Sequence, residues 1–150
     1  MNCAEIFTGL AVPLDPEPTE VVPKLDPLED IRAVFFDVYG TLIISSVGDI
    51  SLVEDENRDA LMTRSMAAYG YGVPHHQRDG VSQKFREIIA EHQSKEKAAG
   101  TDWPEVEIRK VWRDLLSHCV YPETSQENCE LLATYYEAQV NAVWPIPHAG

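Results

Sequence analysis

Cysteine and basic residues are scarce in this chain, and each shortage excludes something. Its 150 residues include only three cysteines, Cys3, Cys119 and Cys129. An odd number with no CxxC pair defines neither a disulfide framework nor a zinc site, and a reducing, cytoplasmic setting is the expectation. Lys and Arg number 12 against 25 Asp and Glu, a formal net charge of −13. That balance argues against a nucleic-acid backbone or an anionic membrane as partner, because both require a positive surface. Long apolar runs are missing too. The stretch from Ile6 to Val12 is too short and interrupted to span a bilayer, and no basic segment precedes it as an export signal would require. What is present is a 44% hydrophobic chain, enough to build the core of one ordinary domain.

Five of the ten prolines (Pro13, Pro16, Pro18, Pro23, Pro27) lie within residues 1–30, mixed with Asp and Glu. Proline removes backbone donors and disfavours helix in the residue before it, so this segment reads as an extended acidic arm outside the core. From Ile31 to Asp37 the chain carries the continuous apolar run Ala33-Val34-Phe35-Phe36, which suits a strand buried on both faces of a parallel sheet. Leu42–Ser46 and Ile50–Val53 flank Gly48-Asp49, and that spacing predicts a small hairpin.

From Asp55 the period becomes helical. A first helix is predicted over Glu56–Tyr69, with Leu61, Met62, Ser65, Met66 and Tyr69 on one side, ended by Gly70, Gly72 and Pro74. A second spans Asp79–Ala99 with Gly100 in the C-cap position. The third opens near Asp102 with Pro104 in its first turn and carries the stripe Ile108, Val111, Trp112, Leu115, Leu116 and Cys119. A fourth begins at Thr124, which with Glu127 spells a capping box, and buries Cys129, Leu132, Tyr136, Val140 and Val143. Trp144-Pro145-Ile146-Pro147 forbids its continuation. Four amphipathic helices with short connections predict a helical bundle. The buried strand has no parallel partner in the remaining sequence, although its backbone groups need one. The missing strands are therefore expected beyond residue 150.

The segment Val34-Phe35-Phe36-Asp37-Val38-Tyr39-Gly40-Thr41-Leu42 puts a carboxylate at the carboxyl end of that strand, where open α/β sheets bind ligands. Gly40 permits a tight turn, and Thr41 supplies a hydroxyl near the carboxylate. As a bare pattern, Asp-x-x-Gly is also a common turn. With the Thr41-Leu42 continuation it resembles the first motif of the haloacid dehalogenase (HAD) superfamily, an apolar strand followed by Asp-x-x-Gly-Thr-Leu. One branch of that superfamily inserts a helical cap directly after this motif. The resemblance implies an α/β fold in which this chain is mostly α: residues 1–30 form an arm, 31–53 the first strand of a HAD-like Rossmannoid core with its nucleophile loop and flap, and 54–144 a four-helix cap. Residues 145–150 then return towards the core.

By the same resemblance Asp37 is the nucleophile, forming a covalent aspartyl intermediate with a small-molecule substrate, and Tyr39 and Thr41 complete the catalytic loop. In the phosphatase members Mg2+ is held by this Asp and by the backbone carbonyl two residues later, here Tyr39. The remaining acids, and the Ser or Thr and Lys that hold phosphoryl oxygens, do not occur at matching positions in this chain. Most phosphatases of the superfamily carry a second Asp where Tyr39 stands, and a phenol, with an ordinary pKa of about 10, is a poorer acid near neutrality. The dehalogenase branch carries Tyr there and uses no metal, but Ile43-Ile44-Ser45-Ser46 replaces the Phe-Asp that commonly follows. Phosphoester and carbon–halogen hydrolysis both stay open, as does a noncatalytic helical interaction module in which Asp37 is only a turn residue. His75-His76 and His118-Cys119 lack ligand partners at metal-binding spacing and read as structural. Trp103, Trp112 and Trp144 fit packing, and Arg58, Arg64 and Arg78 fit a solvated face better than a cleft.

Overall fold

The computed structural model describes residues 2–24, 26–46 and 55–147, and the side chains of the helix that starts at Asp55 from Arg58 onward. Within these residues the order is α1 (Cys3–Leu10), β1 (Ile43–Ser45), α2 (Asp55–Ala68), α3 (Val81–Ala98), α4 (Ile108–His118), α5 (Gln126–Val140) and β2 (Val143–Pro145). The chain is mostly helical. None of the helices described is long and apolar enough to cross a membrane.

The apolar stripes of α2 to α5 converge on Trp112, which is 1% exposed. Met62 and Met66 from α2, Ile88 from α3, Leu115 and Leu116 from α4 and Leu132 from α5 share this core. Phe85, Trp112 and Tyr136 meet as a trio, with ring centroids 5.0 Å apart for Phe85–Trp112 and 5.4 Å for Trp112–Tyr136. These offsets favour the quadrupoles of the rings while burying large apolar surfaces. α5 is the common neighbour, packing against α1, α2 and α4.

The four bundle helices stand where their periodicity predicts, with shifts at the ends that have local causes. α4 starts at Ile108 rather than near Asp102, because Glu107 occupies the N-cap and accepts from the Arg109 amide. Trp103, left outside the helix, is 91% exposed, so its expected packing role does not hold. α5 is capped by Ser125, whose hydroxyl accepts from the Asn128 amide, while the Thr124 hydroxyl donates to the Tyr121 carbonyl. The cap thus lies one residue later than predicted, and the capping box expected from Thr124 and Glu127 is replaced by this single serine cap. Start of α3 is stabilised from another helix: Asp59 of α2 accepts from the Gly80 and Ser82 amides, both at 2.7 Å. Burial works to raise the Asp59 carboxyl, but the Ser82 and Gly80 hydrogen bonds and nearby Arg86 outweigh it and hold the pKa below the usual value.

Three expectations are corrected. Residues 31–37 form no strand and are exposed, Phe35 at 95%, because no neighbouring strand among the described residues can take their hydrogen bonds. The hairpin predicted around Gly48-Asp49 rests on residues 47–54, which lie outside the described residues, while Ile43–Ser45 pairs with Val143–Pro145 in an antiparallel register of Ile43 with Pro145 and Ser45 with Val143. Val143 accordingly belongs to β2 and not to the last helix. Finally, the arm is extended only from residue 11. Asn2 and Glu5 form a capping box that starts α1, and Ile6 is 2% exposed against the bundle.

Core and loop should therefore respond very differently to truncation. Leu115→Ala removes a side chain with no exposure and is expected to cost about 2–5 kcal/mol in urea unfolding. Phe35→Ala should change stability by less than about 0.5 kcal/mol, since the ring lies in solvent. Comparable losses for both would show that residues 31–37 are integrated into the core.

Candidate functional site

The segment after Asp37 folds into a tight loop organised by one carbonyl. Val38 O accepts from the amides of Thr41, Leu42 and Ile43 at 3.4, 2.9 and 3.0 Å, and the Gly40 amide donates to Ile43 O at 2.7 Å. Gly40 has φ +78, a left-handed conformation that a side chain disfavours. This is the local reason for glycine three residues after the aspartate. The Thr41 hydroxyl donates to Asp37 Oδ2 at 3.5 Å, and Asp37, Tyr39 and Thr41 share one exposed loop.

β1 leaves this loop and fastens it to the end of α5. Ser45 Oγ donates to Asn141 Oδ1 at 2.7 Å, the Ser46 amide donates to Ala142 O at 2.9 Å, and the Ala142 amide returns a bond to Ser46 Oγ at 3.1 Å. The Ile146 amide donates to Leu42 O at 3.1 Å. The chain thus enters and leaves the helical unit at the same place, beside the aspartate loop.

Tyr39 reaches a cavity of about 450 Å3 whose walls include Phe85, Trp112, Tyr136, Glu137 and Phe7 of α1. That volume is within the range of small-molecule sites. Glu137 is its charged wall. Burial pushes the Glu137 carboxyl up, and the hydrogen bond with Asn141 only partly opposes this. A second cavity, about 660 Å3, brings Arg64 and Arg78 together with Asp59, Thr63 and Asp79, whereas Arg58 is buried in the bundle. The solvated face expected of these arginines therefore holds for exposed Arg64 and Arg78 and is corrected for Arg58.

The other candidates keep structural surroundings. His75 and His76 lie exposed in a short 3-10 turn, and His118 ends α4 with its carbonyl accepting from Gln77. Among the described residues no group of three His, Cys, Asp or Glu side chains is placed to hold a metal ion. Asp37 and the Tyr39 carbonyl are hard oxygen donors of the kind Mg2+ accepts, and Mg2+ characteristically completes its shell with water and substrate phosphate. Sequence reasoning missed Phe7 and Glu137 as cavity walls. The Asn2-x-x-Glu5 capping box was a legible sign of α1, but nothing local indicates that α1 would meet Tyr39. Compared with family models, curated proteins and solved structures, the chain matches none.

Glu137 gives this cavity a pH dependence. At low pH both folded and unfolded chains hold it protonated, and it costs nothing. As pH rises through the ordinary Glu range, near 4.3, the unfolded chain ionises first, so folding stability falls until the raised folded value is passed. Glu137→Gln should remove that decline, and urea midpoints across the range should show the variant gaining on the native chain as pH rises. Parallel pH profiles would contradict the buried placement of the carboxyl.

Proposed function

We propose that this chain carries the nucleophile loop and helical cap of a HAD-like hydrolase that acts on a small phosphoester. The observation that supports the reading is the β1–β2 ladder. An inserted domain must leave its host where it entered, and Ile43–Ser45 and Val143–Pro145 lie side by side immediately after Asp37-Val38-Tyr39-Gly40-Thr41-Leu42. A bundle merely following a turn in sequence has no need of that closure.

In this reading a carboxylate oxygen of Asp37 attacks phosphorus, the bond to the leaving alcohol breaks, and the departing oxygen takes a proton from solvent. Water then attacks the aspartyl phosphate, which releases inorganic phosphate and restores the carboxylate. The Thr41 hydroxyl orients Asp37 through its hydrogen bond. Asp37 and the Tyr39 carbonyl would hold Mg2+, which when bound neutralises charge between an anionic nucleophile and an anionic substrate. Gly40, at positive φ, keeps the loop between them tight. Tyr39, where most phosphatases of the superfamily carry an acid, favours carbon–halogen hydrolysis as the second reading, and that chemistry makes no demand for a metal.

The natural polypeptide that carries this sequence should hydrolyse a generic phosphoester with Mg2+. Asp37→Asn should lower kcat by roughly a thousandfold or more while leaving the thermal melt unchanged, since the two side chains are nearly isosteric. Residues 1–150 alone should show no turnover, because the groups that hold phosphoryl oxygens are not among them. Retained activity in Asp37→Asn would remove the nucleophile assignment, and full activity on a haloacid after EDTA treatment would replace phosphoester by carbon–halogen chemistry.

A further inference from the structure

α1 is held unlike the other helices. Of its eight residues Ile6 is the buried one, Phe7 is 39% exposed, and the Thr134 hydroxyl of α5 donates to Cys3 Sγ at 3.3 Å. Helices this short are not stable unless they are docked, since isolated ones below about 12–15 residues are marginal. Behind α1 run residues 11–24 and 26–30, exposed apart from half-buried Leu14, where the Thr19–Val21 hydrogen bond and the Lys24–Asp26 ion pair are local. A proline-rich tether of this kind keeps a released helix close to its dock at high effective concentration.

The dock itself is a divided groove. On one side of Phe7 lies the 450 Å3 cavity reached by Tyr39, and on the other an apolar cavity of about 490 Å3 lined by Ile43, Ala138 and Trp144. Phe7 is a wall of both, and other walls of both follow α5 and its end from Ala133 to Ala142, so lifting α1 would merge them into one largely apolar groove that carries Glu137. We propose that α1 is a tethered strap that docks reversibly on α5 and gates this groove beside Tyr39. Docking and gating require no catalysis. The regulatory consequence, that an open strap admits the apolar part of a substrate to the Asp37 loop, rests on the proposed hydrolase function.

Amide hydrogen exchange on the native full chain tests the strap directly. Amides of α1 should exchange at least roughly tenfold faster than those of α4, because local opening bypasses global unfolding. Ile6→Asp should release the strap. Alkylation of Cys3, mapped by peptide mass spectrometry, should then accelerate about tenfold while buried Cys119 and Cys129 stay protected and the main melt moves by no more than about 4 °C. Fluorescence of an anilinonaphthalene sulfonate dye should rise several-fold as the groove opens. Protection of α1 equal to that of α4, or Ile6→Asp exposing all three cysteines together, would make α1 an integral core element and overturn the proposal. Dye binding unchanged on release of Cys3 would overturn the gate. Strap results as expected, alongside full activity in Asp37→Asn, would leave the strap standing and the hydrolase reading refuted.

Discussion

The antiparallel pairing of Ile43–Ser45 with Val143–Pro145 is short, yet the arrangement of the aspartate loop depends on it. It ties segments separated by the whole helical unit, and its flanking bond from Ser45 to Asn141 spans 96 residues. Closing so long a loop is entropically costly for three residue pairs alone, so the closure relies on the packing of α2 to α5 between them. In return it fixes where the chain enters and leaves the bundle. It also sets the Val38–Ile43 turn against the end of α5, leaving Asp37 on an exposed loop rather than within the core.

The apolar run before Asp37 shows what happens when half of a structural argument is present. Val34, Phe35 and Phe36 have the composition of a central strand, but a strand is stable only when neighbours accept and donate its backbone hydrogen bonds. Here these residues are 65%, 95% and 66% exposed. Exposure on this scale differs from scattered surface apolar residues. The aspartate loop directly after it is nonetheless formed, because its hydrogen bonds are internal to residues 38–43 and borrow nothing from residues 31–37.

The four bundle helices were legible because each carries its apolar residues at helical spacing, and α2, α3 and α5 are followed by stops in Gly70, Gly100 and the proline-rich run at 145–147, all properties of neighbours in sequence. The loop carrying Asp37, Tyr39 and Thr41 was legible for a similar reason: Gly40 stands where the backbone needs positive φ. Helix ends were less so. Ser125 displaces Thr124 as the cap of α5, and Asp59 caps α3 from more than twenty residues away, since a cap is chosen by whichever oxygen reaches the free amides.

The sequence by itself therefore determined a mostly helical chain, the four bundle helices and the local form of the aspartate turn, because periodicity, stop signals and glycine conformation act over a few residues. Only the tertiary structure decided that β1 pairs with β2, that Phe7 and Glu137 share a cavity with Tyr39, and that α1 leaves the arm to dock on α5. Those contacts join residues tens of positions apart. They arise where apolar surfaces left over from local structure find one another, and no spacing rule records which surfaces will meet.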